Sequence, residues 1–469
     1  MEKRSKTYID DPDRGMYDVK NAFTYDYKSE SGLTEEIIRE ISAKKGEPEW
    51  MLKFRLESLA IYHKLEVPTW APDLSDLDID NIVTYVKPQS GIQSDWDNVP
   101  EEIKKTFDLL GIPEAEKKSL AGVGAQYDSE VVYHSIKEEL TKQGVVYTDI
   151  HTALLEHEDL VKEYFMKLIP NTDHKFAALH GAVWSGGSFV YVPEGVQVDI
   201  PLQSYFRLNA PGAGQFEHTM IIVEKNARCH FIEGCSAPKY SVNNLHAGAV
   251  ELYVKEGATL RYSTIENWSK NMYNLNTKRA VVEKNGTIEW VSGSFGSKVG
   301  MLYPMSILKG EYARAEFTGI TFAGKGQVLD TGCKVVHAAP HTTSTVNSKS
   351  ISKSGGQAVY RGLLRVAPNA YGCKSTVTCE SLMLDNISRS DTIPVIDIEN
   401  DDVDMGHEAK IGRISEEAIF YLMTRGISEE EAKAMIVRGF VEPISKELPL
   451  EYAVEMNNLI TLELEGTIG

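Results

Sequence analysis

A motif recurs through the middle of the chain at a near-constant interval, and this repeat constrains the fold more than any other feature. Val223-Glu-Lys-Asn-Ala227 is followed four residues later by Phe231, and Val254-Lys-Glu-Gly-Ala258 four later by Tyr262. Val282-Glu-Lys-Asn-Gly286 leads in the same way to Trp290, and Leu308-Lys-Gly-Glu-Tyr-Ala313, one residue longer, to Phe317. The aromatic positions 231, 262, 290 and 317 are thus nearly evenly spaced. Each unit joins a charged Gly/Asn turn to a short alternating segment such as Thr259-Leu-Arg-Tyr262, the pattern of a β-strand. Units of one period that cannot bury their own apolar faces stack into a solenoid, and short β units give a coiled parallel sheet. Residues one period apart then lie above one another at a strand spacing of about 4.8 Å.

The rest of the chain fits a mainly β solenoid between helical ends. Residues 1 to about 30 are polar and dotted with aromatics, as expected of an arm. Thr34 caps a helix with acids in its first turn, and Leu52, Leu56 and Leu59 form the apolar stripe of another. A second helical block is expected from Pro100 to about Tyr164, punctuated by Gly111 and Gly122 to Gly124. The organisation is therefore a mostly helical region over 1–174, a β core over 175–411, and a helical region over 412–469. His341 to Ser354, although Ser/Thr-rich, alternates like one polar-faced strand. Ser415 and Ser428 are N-cap candidates, and Gly426 and Gly439 stand where helices should stop.

Composition narrows the function. The chain of 469 residues carries 49 basic against 68 acidic residues, a net charge of −19, which argues against nucleic acid or an anionic membrane as partner. No apolar run approaches the roughly 18 residues of a membrane span. Five cysteines, few and odd in number, make no disulfide framework and suit a reducing cytoplasm. There is no P-loop and no Gly-x-Ser-x-Gly elbow, which leaves thiol, imidazole and carboxylate on a rigid scaffold. That set suits zinc or iron–sulfur chemistry better than magnesium or calcium.

One thiol has such company at the repeat's spacing. Cys379 precedes His407 by the same interval that separates Tyr262 from Trp290, so the two are expected to be neighbours, with Glu408 on the adjacent face or at a bend. A free thiol of pKa near 8.5 is only about 3% ionised at pH 7. A neighbouring imidazolium or a metal ion could lower that value. Cys235 lies in Glu233-Gly-Cys-Ser-Ala-Pro238, where a strand meets a Gly and a Pro, a position that suits either an exposed sulfur acceptor or a buried small side chain. One coil on, by the step that leads from Phe231 to Tyr262, stands Glu266. Cys229, Cys333 and Cys373 read as core.

These segments carry a resemblance. Glu233-Gly-Cys-Ser-Ala-Pro238, Gln357-Ala-Val-Tyr-Arg-Gly362, Thr378-Cys-Glu-Ser-Leu-Met383, His407-Glu-Ala409, Met435-Ile-Val-Arg-Gly-Phe440 and Glu49-Trp-Met-Leu-Lys-Phe-Arg55 are similar to the SufB/SufD family of the Suf iron–sulfur cluster assembly system. The thiol with its His-Glu pair points to the SufB side of that family. The resemblance implies a right-handed parallel β-helix and a scaffold rather than an enzyme. It also implies a transient cluster of the 4Fe–4S type, a SufC-like ATPase docked on the C-terminal helices, and a SufD-like paralogue or second copy at the β-helix ends. Sulfur donors and apo-proteins would be further partners, and a reduced flavin is associated with some family complexes. Cys235 would receive persulfide sulfur, and Cys379 with His407 and Glu408 would hold iron and the nascent cluster. Arg207, Asn209, Glu217, Thr264, Glu266, Trp268 and Lys284 would line a passage between the two cysteines. Where the family can place an acid before the His-Glu pair, this chain has Gly406. A SufD-like subunit without its own cluster site, a β-helix enzyme acting on polysaccharide and a Cys-His hydrolase are the alternatives.

Overall fold

In the computed structural model, which describes residues 18–21, 25–109, 120–446 and 450–465, the repeat is a stack of β coils. Eight strands, Gln197–Arg207, Arg228–Ser236, Thr259–Asn267, Thr287–Phe295, Arg314–Ala323, Thr343–Ser352, Cys373–Met383 and Val403–Arg413, run parallel in one sheet, each paired with the strand one coil away. The coils return through two shorter strands of a second sheet, as in Met272–Asn274 followed by Thr277–Val282. Near the C-terminal end these two merge into the single strand Gln357–Val366, which pairs with Val328–Thr331 and Lys334–His337 at once. The architecture is a parallel β-helix.

Phe231, Tyr262, Trp290 and Phe317 stand directly above one another, as their spacing requires. Their rings fill the space between the sheets: Phe231 stacks on Tyr262 at 5.6 Å between centroids. Together with buried aliphatic side chains they form a continuous inner core that no single coil could build. The Gly/Asn turns also align. Gly195, Asn226, Gly257, Asn285, Tyr312, His341 and Gly372 all have positive φ, and the amide of each donates to a carbonyl one coil further on. Glycine and asparagine tolerate that left-handed conformation best, so the motif marks the corner of every coil.

Helices cover the outer faces. Helix Glu49–Tyr62 lays Leu52, Leu56 and Leu59 against the core that includes Leu179 and Ala182 of helix Lys175–Val183. Thr34, Ser415 and Ser428 cap their helices as expected. Helices Glu429–Ser445 and Leu450–Glu465 press Val437, Val441, Met456 and Ile460 onto Ile232, Ile265, Val291 and Ile320 of the sheet that holds these eight parallel strands. Gly439 does not end a helix but lies inside Glu429–Ser445. Burial of Val437 and Val441 on either side offsets its cost of about 1 kcal/mol.

The expected helical block from Pro100 to Tyr164 is broken by strands Gly122–Tyr127, Glu130–Ile136 and Val146–Asp149. Their Val and Tyr residues extend the sheets: Gly122–Tyr127 pairs in parallel with Gln197–Arg207. Of the expected N-terminal arm, Tyr25–Lys28 forms a strand antiparallel to Val86–Pro88. Most of the remainder of that arm, and Gly111, fall outside the described residues. No helix among the described residues is long and apolar enough to cross a membrane.

Candidate functional site

Alternation along each of the eight parallel coil strands sends every second side chain inward. In Arg228–Ser236 the inward residues are Cys229, Phe231, Glu233 and Cys235, and in the next coil Leu260, Tyr262, Thr264 and Glu266. Cys235 is paired with Glu266, one coil away, as the step from Phe231 to Tyr262 predicts. It is not exposed: only 1% of its surface is accessible.

Around Cys235 the interior is ionic. Its thiol lies 3.9 Å from Glu233 Oε1. Glu233 accepts a hydrogen bond from Lys278 Nζ at 2.6 Å and another from the Tyr262 hydroxyl, and Lys278 also donates to Thr264 Oγ1 at 2.9 Å. Glu266 is held by Asn274 Nδ2 at 2.9 Å and Ser294 Oγ at 3.1 Å. Asn274 in turn meets His246 Nδ1 at 2.6 Å, while His246 Nε2 meets Glu217 and its ring packs on Trp268 at 4.7 Å. Burial, and then the carboxylates of Glu233, Glu217 and Glu266, push the Cys235 thiol well above its ordinary pKa, with Lys278 opposing. Burial opposes the charge on Lys278, but Glu233 and Glu266 hold its pKa above the usual lysine value. Arg207 and Asn209 close the rim. Arg207 donates to Ser236 Oγ at 3.0 Å and to the Val19 carbonyl at 2.8 Å, and Asn209 Oδ1 accepts from the Asn21 amide at 3.3 Å.

Lys284 is not part of this group. It sits exposed in the corner turn, and Lys278, earlier in the same coil, supplies the buried ammonium. Alternation could have found it, since Lys278 shares its inward face with Ala280 and Val282. The same rule places Glu233 beside Cys235.

At the other end of the stack, Cys379 and His407 meet, though not by the expected register. Cys379 is paired with Ala409, and His407 with Val377, so the local repeat is two positions longer than the interval from Cys379 to His407. His407 continues the column of Phe231, Tyr262, Trp290 and Phe317 through Val346 and Val377. Its ring reaches diagonally along the inner face, bringing Nε2 to 3.5 Å from Cys379 Sγ. Tyr360 shares the pocket with Cys333, Val377 and His407. Burial pushes the Cys379 thiol up to about 12, against the hydrogen bond from Tyr360. The imidazole therefore does not ionise this thiol, and a bound cation would have to take the place of its proton. Glu408 points the opposite way. It is exposed and paired with Lys410 at 3.1 Å, so it does not share the inner site. No cluster of three or more His, Cys, Asp or Glu with metal-binding geometry occurs among the described residues.

Two columns of small polar side chains connect the ends. One runs Cys235, Glu266, Ser294, Thr321, Ser350, Ser381. Beside it, two positions back in each strand, run Glu233, Thr264, Ser292, Gly319, Ser348 and Cys379. Five coil steps separate the thiols, about 24 Å at the strand spacing. Midway, Ser292, Ser294, Gly319, Thr321 and Ser348 line a small cavity. Most of the rest of the interior is aliphatic and aromatic, with a smaller polar group at His337, Ser344 and Ser375, so this track is the polar seam that joins the two thiols.

Residues 206–440 match the family model for the SUF system FeS cluster assembly SufBD core domain, and residues 36–204 that for the SufBD protein N-terminal region. The chain is 57% identical over 443 residues to the iron–sulfur cluster assembly protein SufB of Bacillus subtilis (strain 168), covering 94% of this chain and 95% of that one. It is 55% identical over 462 residues to an iron–sulfur cluster assembly SufBD family protein of Staphylococcus aureus (strain MRSA252), covering 98% and 99% of the two chains.

Proposed function

This chain belongs to the SufBD family of Suf-system iron–sulfur cluster assembly proteins, and we propose that within it the chain is the scaffold on which the cluster is built. The observation that carries this reading is the polar seam ending in a thiol at each extremity, with an imidazole at one of them. Sulfur enters at Cys235: its sulfur attacks the terminal sulfur of a donor persulfide, a new S–S bond forms on Cys235, and the donor leaves as thiolate. Lys278 is the group that opposes burial and the carboxylates there, and so favours the anion that Cys235 must become for this attack. Release as sulfide takes two electrons per sulfur from a reductant outside this chain, for which the resemblance suggests a reduced flavin in the assembled complex. Sulfur then passes along the hydroxyl-lined columns to Cys379, where the thiolate and His407 bind iron and the nascent cluster. Glu408, on the outward face, could contribute only from an interface with a partner.

Partners are inferred from the open end. Strands Arg389–Ile398 and Val403–Arg413 are the edges of their sheets and expose Ile393, Val395, Ile396, Ile398 and Ile411. Such edges invite a further β coil, as a SufD-like paralogue or a second copy would offer. Phe420, 68% exposed, with Tyr421 and Met423 forms an apolar patch on helix Glu416–Met423 that suits a SufC-like ATPase. Assembly with these partners in the cytoplasm, followed by transfer to apo-proteins, completes the proposal.

Anaerobic reconstitution with the partner subunits tests it. Wild type should develop iron–sulfur absorbance and acid-labile sulfide, Cys379→Ala neither, and Cys235→Ala little when sulfur comes from a persulfide donor. Undiminished absorbance in Cys379→Ala would refute the site.

A further inference from the structure

A cavity that none of this chemistry uses lies on the outside of the second sheet, where the N-terminal region meets it. It measures about 300 Å³, at the lower end of the range for small-molecule sites. Trp70 and Tyr303 form an edge-to-face aromatic wall, with ring centroids 6.0 Å apart. The floor is the corner between Met272–Asn274 and Thr277–Val282, and there Asn276 is 4% exposed with neither its amide nitrogen nor its amide oxygen hydrogen-bonded to another residue. A buried amide in that state costs about 1–3 kcal/mol per group and marks a place for a partner with a donor and an acceptor side by side. Two cations complete the lining. Arg279 is bound to Asp173 at 2.7 Å, whereas Lys334 makes no ion pair among the described residues and holds its ammonium 5.0 Å from the Tyr303 ring. Thr277 and Arg279 face this pocket, while Lys278 between them reaches Glu233 on the opposite face.

An aromatic wall, a paired donor and acceptor, and one ammonium outside any ion pair together describe a ligand. We propose that this pocket binds a mononucleotide-sized molecule, a heteroaromatic base bearing a phosphate. The base lies against Trp70 and Tyr303 and presents its donor–acceptor edge to Asn276, the pairing by which an asparagine side chain reads adenine. Its phosphate meets Lys334. The inference is independent of the thiol chemistry and stands or falls without it.

Calorimetric titration of the full chain with AMP, UMP, ribose 5-phosphate and inorganic phosphate tests the assignment. At least one nucleotide should bind saturably, and at least tenfold more tightly than ribose 5-phosphate or inorganic phosphate. Trp70→Ala and Lys334→Met should each weaken that binding tenfold or more. Trp70 is 45% exposed, so its replacement leaves the fold intact, and an unchanged melting temperature verifies this. Asn276→Leu should erase the preference for the nucleotide over ribose 5-phosphate. Absence of saturable nucleotide binding at millimolar concentration, equal binding of inorganic phosphate, or wild-type affinity in both Trp70→Ala and Lys334→Met would overturn the proposal.

Discussion

His407 Nε2 lies 3.5 Å from Cys379 Sγ although the residue paired with Cys379 in the next coil is Ala409. The contact is a diagonal one on the inner face, and the imidazole spans the two-residue offset. If this pair binds iron, His407→Ala should lower the iron retained after anaerobic reconstitution by roughly 10- to 100-fold, the usual loss when support at a metal site is removed. Glu408→Gln in the isolated chain should change it by less than twofold, since that side chain faces solvent.

Thiol reactivity should follow burial. With its pKa pushed up to about 12, Cys379 in the free chain is ionised at pH 8 to only about one part in ten thousand. Iodoacetamide should label it roughly a thousandfold more slowly than the unfolded chain, measured by mass spectrometry. Rates comparable in the two states would contradict the burial described.

The same shift predicts alkaline instability. A group whose folded pKa lies above its unfolded value favours the folded state below the unfolded value and loses that contribution as pH rises towards the folded one. For Cys229 and Cys379, both raised to about 12, the loss should run from about pH 9 to pH 12. Cys229→Ala, with one such group fewer, should show a shallower fall of denaturant midpoint across this interval, even if its stability at pH 7 is lower.

Lys278 and Lys284 should behave oppositely. Lys278→Met leaves the Glu233 carboxylate buried and unpaired, a loss of about 3–5 kcal/mol. Lys284→Ala removes an exposed turn side chain and should stay within about 0.5 kcal/mol of wild type. Urea unfolding of the two variants gives the comparison directly.

A plug in the seam should separate loading from assembly. Ser292→Leu places a branched apolar side chain midway between the thiols, at an overpacking cost of about 1–3 kcal/mol. Persulfide should still accumulate on Cys235, read by mass spectrometry, while cluster absorbance falls at least tenfold. Normal cluster formation in a folded variant would rule out the passage.

The β-helix was legible because its signal is local and repeated: a Gly/Asn corner, then an inward aromatic four residues later, at Phe231, Tyr262, Trp290 and Phe317. The pairing of Cys235 with Glu266 followed from the same count. Drift in that count hid the rest. The coil from Cys373 to Val403 is two positions longer than the one from Tyr262 to Trp290, so counting from Cys379 to His407 led to the right contact by the wrong register. Around Lys278 the chain turns between two short strands, and only the inward alternation of Thr277–Val282, not the period, separates it from Lys284. Strands Gly122–Tyr127 and Glu130–Ile136 were hidden by Glu- and Lys-rich flanks that read as helix, and it is the pairing of the first with Gln197–Arg207, and of the second with the first, that makes them strands.

The aligned left-handed corners make each coil a unit that carries its own bend. Nothing holds Cys235 and Cys379 at their separation except the number of such units between them. A whole coil inserted or removed would therefore move the two thiols by one strand spacing and leave the chemistry at either end untouched. A partial one would turn every inward side chain beyond it out of line.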